Sequence, residues 1–187
     1  MGEPIILPRL AAADTSVTPI AAETDAAASF ADLVRRQQGM VYSLALHFLH
    51  DVEAAEEVAQ DVFLELYKNL GRLSSAKHIT FWLRKVTSHR CIDRARRKRW
   101  QQLRLEDVPE PGGDAARPDP LLTRNLRRLV ASLPETARMV VILRYQEDLT
   151  PTEIADVLSM PVATVKSQLQ RSLAMLREKA TRVMDLR

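Results

Sequence analysis

The stretch from Thr150 to Leu176, TPTEIADVLSMPVATVKSQLQRSLAML, decides the fold of this chain. It opens with Thr150-Pro151-Thr152-Glu153, a capping threonine followed by proline at the first helical position and glutamate at the third. That is a capping box, the signature of a helix start. Ile154, Ala155 and Leu158 fall on the inward face of a short helix, and after Ser159-Met160-Pro161 a longer one turns Val162, Val165, Leu169, Leu173 and Leu176 inward. A short helix, a tight turn and a longer helix are the elements of a helix-turn-helix, whose second helix inserts its N-terminal part into the DNA major groove. The side chains that helix presents outward are Thr164, Lys166, Ser167, Gln170 and Arg171. Lysine and arginine bind guanine edges or phosphates, glutamine pairs with adenine, and hydroxyls serve either. An ordinary amphipathic helical hairpin would carry a similar polar face, so the pattern alone leaves both readings open.

Two helices precede this pair. Leu122, Leu126, Leu129 and Leu133 line the first; Pro134 opens the second, with Ala137, Val140, Val141 and Tyr145 inward. The four helices predict a C-terminal domain over 121–183. Residues 101–120 hold four prolines, two glycines and five acids, which reads as a linker. Upstream, Phe30, Leu33, Val34, Val41, Leu44, Ala45 and Phe48 recur at three-and-four spacing as one apolar helix face. Asp51 is an apt cap for a second helix with Ala55, Val58, Ala59, Val62, Leu66 and Leu70 inward and Gly71 as its stop. A loop from Leu73 to Ile79 leads to a third helix over about 80–99, with Trp82, Leu83 and Val86 inward and Arg90 awkwardly on the same side. Residues 30–100 thus form an N-terminal helical domain, and residues 1–29, rich in proline and alanine without periodicity, read as a disordered leader. The fold class expected is all-α: two small helical domains joined by an acidic Pro/Gly linker.

Charge is distributed unevenly. The 187-residue chain carries 27 Lys+Arg against 24 Asp+Glu, net +3. Residues 30–100 hold 13 basic and 8 acidic groups and residues 121–187 hold 11 and 7, while residues 1–29 (1 and 4) and 101–120 (2 and 5) are acidic. Two basic bodies joined by an acidic strap suit contact with nucleic acid at two places. Nine Lys/Arg stand between Arg84 and Arg104 against the single acid Asp93. Glu57, Asp61 and Glu65, at four-residue spacing beside Gln60, make an acidic stripe of the kind that is usually a solvated face.

No catalytic motif stands out: there is no glycine-rich phosphate loop, nucleophile elbow or His-Glu-x-x-His. Cys91 is the only cysteine, which fits a reducing cytoplasmic compartment. His89 and Cys91 point to different sides of a helix and cannot chelate together. His47 and His50 share a face and read as surface histidines. We assign no catalytic residue, cofactor or metal, and expect neither a secretion signal nor membrane insertion.

Three segments, in this order and spacing, resemble the extracytoplasmic-function class of bacterial sigma factors, within the sigma-70 superfamily. They are Asp51 to Phe63 (DVEAAEEVAQDVF), then Phe81-Trp82-Leu83 through Ile92-Asp93-Arg94, then Leu133-Pro134 with Glu153-Ile154-Ala155 and Pro161 to Ser167. The resemblance implies that 30–100 is sigma region 2 and 121–183 is region 4, a winged-helix-like unit. It implies docking of Glu57, Gln60, Asp61 and Phe63 on the beta-prime clamp helices of core RNA polymerase, with region 4 on the beta flap. It implies melting and holding of the promoter -10 element by Lys77, His89, Arg90, Asp93, Arg96 and Arg97, and reading of the -35 element by Thr164, Lys166, Ser167, Gln170 and Arg171. An anti-sigma factor is the further partner it implies, and catalysis would belong to the polymerase. This sequence departs from the family where His89 replaces a frequent Asn, Ser159 a common Gly, and Ala163 and Gln168 a usual Gly and Arg. The reading that competes with it is a stand-alone helix-turn-helix regulator binding duplex DNA as a dimer.

Overall fold

A computed structural model describes residues 20–73, 75–105 and 127–185, and among these the chain is helix and turn only. The helices are α1 (Ile20–Leu49), α2 (Val52–Asn69), α3 (Ala76–Leu105), α4 (127–131), α5 (Glu135–Tyr145), α6 (Pro151–Leu158) and α7 (Val162–Asp185), with a 3-10 turn at Leu70–Arg72. The expected all-α class holds. The expected linker at 101–120 lies mostly outside the described residues.

Local chemistry sets the boundaries. His50 ends α1 in the left-handed region at φ 55, a conformation histidine visits more readily than most residues, and its N–H reaches Leu46 O at 2.9 Å. Asp51, extended at φ -142, then caps α2 by accepting from Ala54 N at 3.1 Å. Ser75 caps α3, its hydroxyl accepting from His78 N at 3.2 Å. α3 therefore starts at Ala76, four residues before the expected Thr80, and Lys77 sits in its first turn rather than in a loop. Thr80 does not cap; its hydroxyl donates back to Ala76 O. At the other end α1 starts at Ile20, so ten residues assigned to the leader are helical. Alanine's high helix propensity, at Ala21, Ala22 and Ala26 to Ala28, explains what a search for periodicity overlooks. Gly71 lies within the 3-10 turn.

The core is continuous. Val41, Leu44 and Phe48 of α1, Val62 and Leu66 of α2, Leu83 of α3, Met139, Val140 and Leu143 of α5, Ile154 of α6 and Val165 of α7 are fully buried in one cluster. Each such large side chain contributes about 1.5–3 kcal/mol of burial. α1, α2 and α3 pack together, α5 lies against α1 and α3, and α6 and α7 close over α5. Five successive residues of α5, Met139 to Leu143, are buried, because a helix covered on all sides has no solvent face in its middle. Tyr145, expected inward, is 59% exposed at the end of that helix where the cover stops. Among the described residues no helix is long and apolar enough to cross a membrane.

Candidate nucleic-acid interface

The helix-turn-helix forms as its sequence dictates. Thr150 Oγ1 accepts from Glu153 N at 3.3 Å, while Glu153 Oε2 accepts from Thr150 N at 2.8 Å and from the Thr150 hydroxyl at 2.7 Å. These bonds hold the Glu153 carboxyl below the usual carboxylate range. The turn passes through Ser159 at φ 53, ψ 48, so the glycine-like conformation is present although the residue is serine. Met160 N then bonds to Ala155 O at 3.0 Å, and Pro161 O accepts from Thr164 N and Val165 N at the start of α7. Lys166, Gln170 and Arg171 stand exposed on α7, whereas Thr164 and Ser167 are half-buried. The Ser167 hydroxyl donates to Thr164 O at 3.0 Å, which turns it toward its own helix.

On α3 the basic run is sorted by partners. Arg90, on the side of Val86, reaches across to α2, with Nη2 and Nε on Glu65 at 2.5 and 3.2 Å and Nη1 on Asp61 at 3.0 Å. Arg94 pairs with Glu57 at 2.6 Å. Two guanidiniums of α3 thus sit against the three carboxylates of the acidic stripe, which accounts for an arginine on an apolar face. Arg96 and Arg97 are exposed and reach no carboxylate among the described residues. Asp93 is exposed as well, and His89 is half-buried with Nε2 3.2 Å from Val157 O of α6. Lys77 lines a cleft of about 450 Å³ between α3 and α6, with Thr80, Phe81, Arg84, Glu153 and Val157. Trp82 packs half-buried on the core, as expected, while Phe81 is partly exposed.

The four residues expected at the acidic helix divide. Glu57 and Asp61 face α3 through their ion pairs. Gln60 and Phe63 instead line a groove of about 870 Å³ between α1 and α2, with Phe30, Val34, Tyr42, Leu64 and Tyr67. Leu64 and Tyr67 are 60% and 62% exposed, and Phe30 meets the Tyr67 ring edge-on at 5.2 Å. Sequence reasoning missed these two, although both are apolar residues off the inward face of α2, a detectable signal.

The two basic bodies are held together by polar contacts around the shared core. Arg84 Nε donates to Glu147 Oε2 at 3.0 Å, with only 8% of the Glu147 side chain exposed. Gln146 Nε2 donates to Ser43 Oγ at 3.0 Å. Arg138 Nη1 donates to Phe48 O at 3.1 Å and its guanidinium lies 5.2 Å over the Phe48 ring. Burial lowers the Arg138 pKa, and nearby Glu135 works against that shift. His50 is half-buried rather than on the surface, because the C-terminus of α1 turns into the core at that point. Burial first, then the Arg138 charge, lowers its pKa to about 4. Burial pushes the Cys91 thiol up to about 12, which suits a packing residue and not a nucleophile.

Comparison with known proteins agrees on both bodies. The family model for Sigma-70 region 2 matches residues 33–101, and that for Sigma-70, region 4, matches residues 123–176. The ECF RNA polymerase sigma factor SigK of Mycolicibacterium vanbaalenii is 30% identical over 164 residues, covering 83% of this chain and 82% of the relative. SigW of Bacillus subtilis, also an ECF RNA polymerase sigma factor, is 27% identical over 164 residues, covering 80% and 88%. In fold, the chain is similar to the sigma factor RpoE of Bartonella quintana, solved with the anti-sigma factor NepR. There the TM-score is 0.68 at 16% identity, covering 80% of this chain and 95% of that one. CnrH, solved with the cytosolic domain of CnrY, gives a TM-score of 0.58 at 19% identity, covering 81% and 87%.

Proposed function

This chain belongs to the ECF RNA polymerase sigma factors, and from that premise we propose how its surfaces divide the work of promoter-specific transcription initiation. Lys166, Gln170 and Arg171 read the -35 element from the exposed face of α7, with Thr164 and Ser167 at its edge. Lys77, His89, Asp93, Arg96 and Arg97 of α3 hold the -10 element. Arg90, pinned by Asp61 and Glu65, acts mainly to orient α3 on α2. Core polymerase docks on α2, its clamp helices lying along the groove shared with α1 at Gln60 and Phe63 and reaching over to Glu57 and Asp61 on the α3 side of the helix, while region 4 meets the beta flap. The polymerase supplies the chemistry, and an anti-sigma factor supplies control, by analogy with the complex of RpoE with the anti-sigma factor NepR. The work is done in the cytoplasm, where the nucleoid is.

The observation that carries this reading is the pairing, in one chain, of a capped helix-turn-helix with free Lys166, Gln170 and Arg171 and a basic α3 backed by an acidic helix. The stand-alone regulator is the less favoured reading, since it leaves α2 and α3 without a task.

Elements centred near -10 and -35 are about 25 base pairs apart, or about 85 Å at 3.4 Å per step. α3 contacts α6 and α6 contacts α7, so two helix packings, about 20 Å, separate the readers. The bodies must part for both elements to be read at once, releasing His89 from Val157 and Arg84 from Glu147.

Single substitutions test the division of labour. Lys166→Ala and Arg171→Ala should weaken -35 recognition with core affinity intact, each lost phosphate contact lowering the salt slope by about 1. Asp61→Ala should weaken core binding and leave the isolated -35 contact alone. Unchanged core affinity of Asp61→Ala would refute the docking assignment.

A further inference from the structure

Tryptophan is among the more buried residues on average, yet Trp100 near the end of α3 is 69% exposed. It follows five consecutive positions of which four are basic, Arg96, Arg97, Lys98 and Arg99. Lys98 and Arg99 have carboxylate neighbours, Asp51 at 3.7 Å and Glu135 at 3.3 Å. Arg96 and Arg97, one turn before Trp100 on its own face, have none among the described residues, Arg97 Nε reaching only the Asp93 carbonyl at 3.4 Å.

Helical geometry ties Trp100 to the residues already placed on the -10 element. At 3.6 residues per turn, His89, Asp93, Arg96 and Trp100 fall at i, i+4, i+7 and i+11, and the first and last differ by only about 20° around the axis. They form one stripe, about 16 Å long at 1.5 Å per residue. The His89 end of that stripe lies under α6, and the Trp100 end is open. From Asp93 to Trp100 is about 10 Å, the rise of about three nucleotides.

We propose that Trp100 is a further nucleic-acid contact, stacking its indole on an unpaired or fraying base at the end of the strand held by His89, Asp93 and Arg96. Stacking needs only a base's π-face, and cations beside an aromatic ring supply the backbone attraction that brings the strand to it. The inference rests on the sigma-factor reading above and adds a site to it.

The test uses holoenzyme assembled from core polymerase and the full chain, carrying Trp100→Ala, Trp100→Leu or Trp100→Phe. Heparin-resistant open complexes are counted by permanganate reactivity of unpaired thymines. Trp100→Ala and Trp100→Leu should lower open-complex formation at least about fivefold, and Trp100→Phe should keep most of it. Core affinity and the thermal melt should be unchanged in all three. Open-complex formation by Trp100→Ala equal to the wild type overturns the proposal, and so does Trp100→Leu performing as well as Trp100→Phe. A loss of core affinity or a lowered melt overturns it too, by assigning the ring to the polymerase or to the fold. If the wild-type chain itself opens no promoter, the sigma-factor reading fails and this inference falls with it.

Discussion

Replacing Ser159 by glycine should stabilise the protein, because the backbone there already has the conformation glycine favours. Ser159 sits at φ 53, ψ 48 at the end of α6. A side chain in the left-handed region costs about 1–2 kcal/mol, from the approach of Cβ to the following carbonyl oxygen. Serine offsets none of this by bonding, since it is exposed and, among the described residues, only its backbone N–H is bonded, to Ala155 O. Against the relief stands glycine's greater freedom in the unfolded chain, which costs about 0.4–1 kcal/mol. The difference of the two central values is a net gain of about 0.8 kcal/mol, within a span from about 0 to about 1.6 kcal/mol. For a chain of this size each kcal/mol moves the melting midpoint by about 2–4 °C, so Ser159→Gly should raise it by roughly 1–4 °C. Ser159→Val is the opposite control: a β-branched residue in this region is a genuine outlier, and its midpoint should fall by several degrees. Thermal denaturation followed by circular dichroism reads both. A glycine variant that melts at or below the wild type, together with a harmless valine variant, would refute the left-handed turn. It would also remove the physical reason for glycine at this turn.

Two other substitutions probe the packing. His50 has its pKa lowered to about 4 against an ordinary 6.5. Between those values the unfolded chain binds the proton and the folded one does not, so stability is complete above about pH 6.5 and declines as pH falls toward 4. His50→Asn, which tolerates positive φ without titrating, should flatten the decline in denaturant midpoints across that window; an unchanged slope would clear His50 of it. Glu153 and Glu135, whose pKa values are lowered, add losses only below the ordinary carboxylate range. Glu147→Ala should cost about 2 kcal/mol, less than the roughly 3–5 kcal/mol of breaking a fully buried pair, because Arg84 keeps a quarter of its side chain in solvent. Glu147→Gln, which retains an acceptor, should lose less, and equal melting of all three proteins would show the pair to be without weight.

Much of this was legible in the residues, for reasons that differ by element. The capping box at Thr150 is a local signal that the structure realises bond for bond, and the apolar spacing buries Ile154, Ala155, Leu158 and Val165, while Leu173 and Leu176, farther along α7, are only half-buried. The cap by Asp51 was equally local. What escaped depended on partners distant in sequence. Arg90 looked misplaced beside Val86 because periodicity knows nothing of Asp61 and Glu65 on α2, which receive its guanidinium. Tyr145 looked inward because the pattern cannot say where the neighbouring helices end. His50 looked like a surface residue, though the close of α1 carries it toward Arg138. The start of α3 was missed for a local reason: Ser75 caps it, and Thr80, a residue of the same capping kind, drew the boundary too late. The candidate surfaces follow the same rule. Lys166, Gln170 and Arg171 are exposed as their spacing requires, whereas the sorting of α3 into paired and free cations needed the fold.

The central claim is that this chain directs core polymerase to promoters, and reconstituted transcription tests it most directly. Purified chain, core polymerase and a library of promoter fragments should yield initiation at a defined subset, with thymines near -10 unpaired only when both proteins are present. Tight, specific duplex binding by the chain alone, with no initiation when polymerase is added, would contradict it.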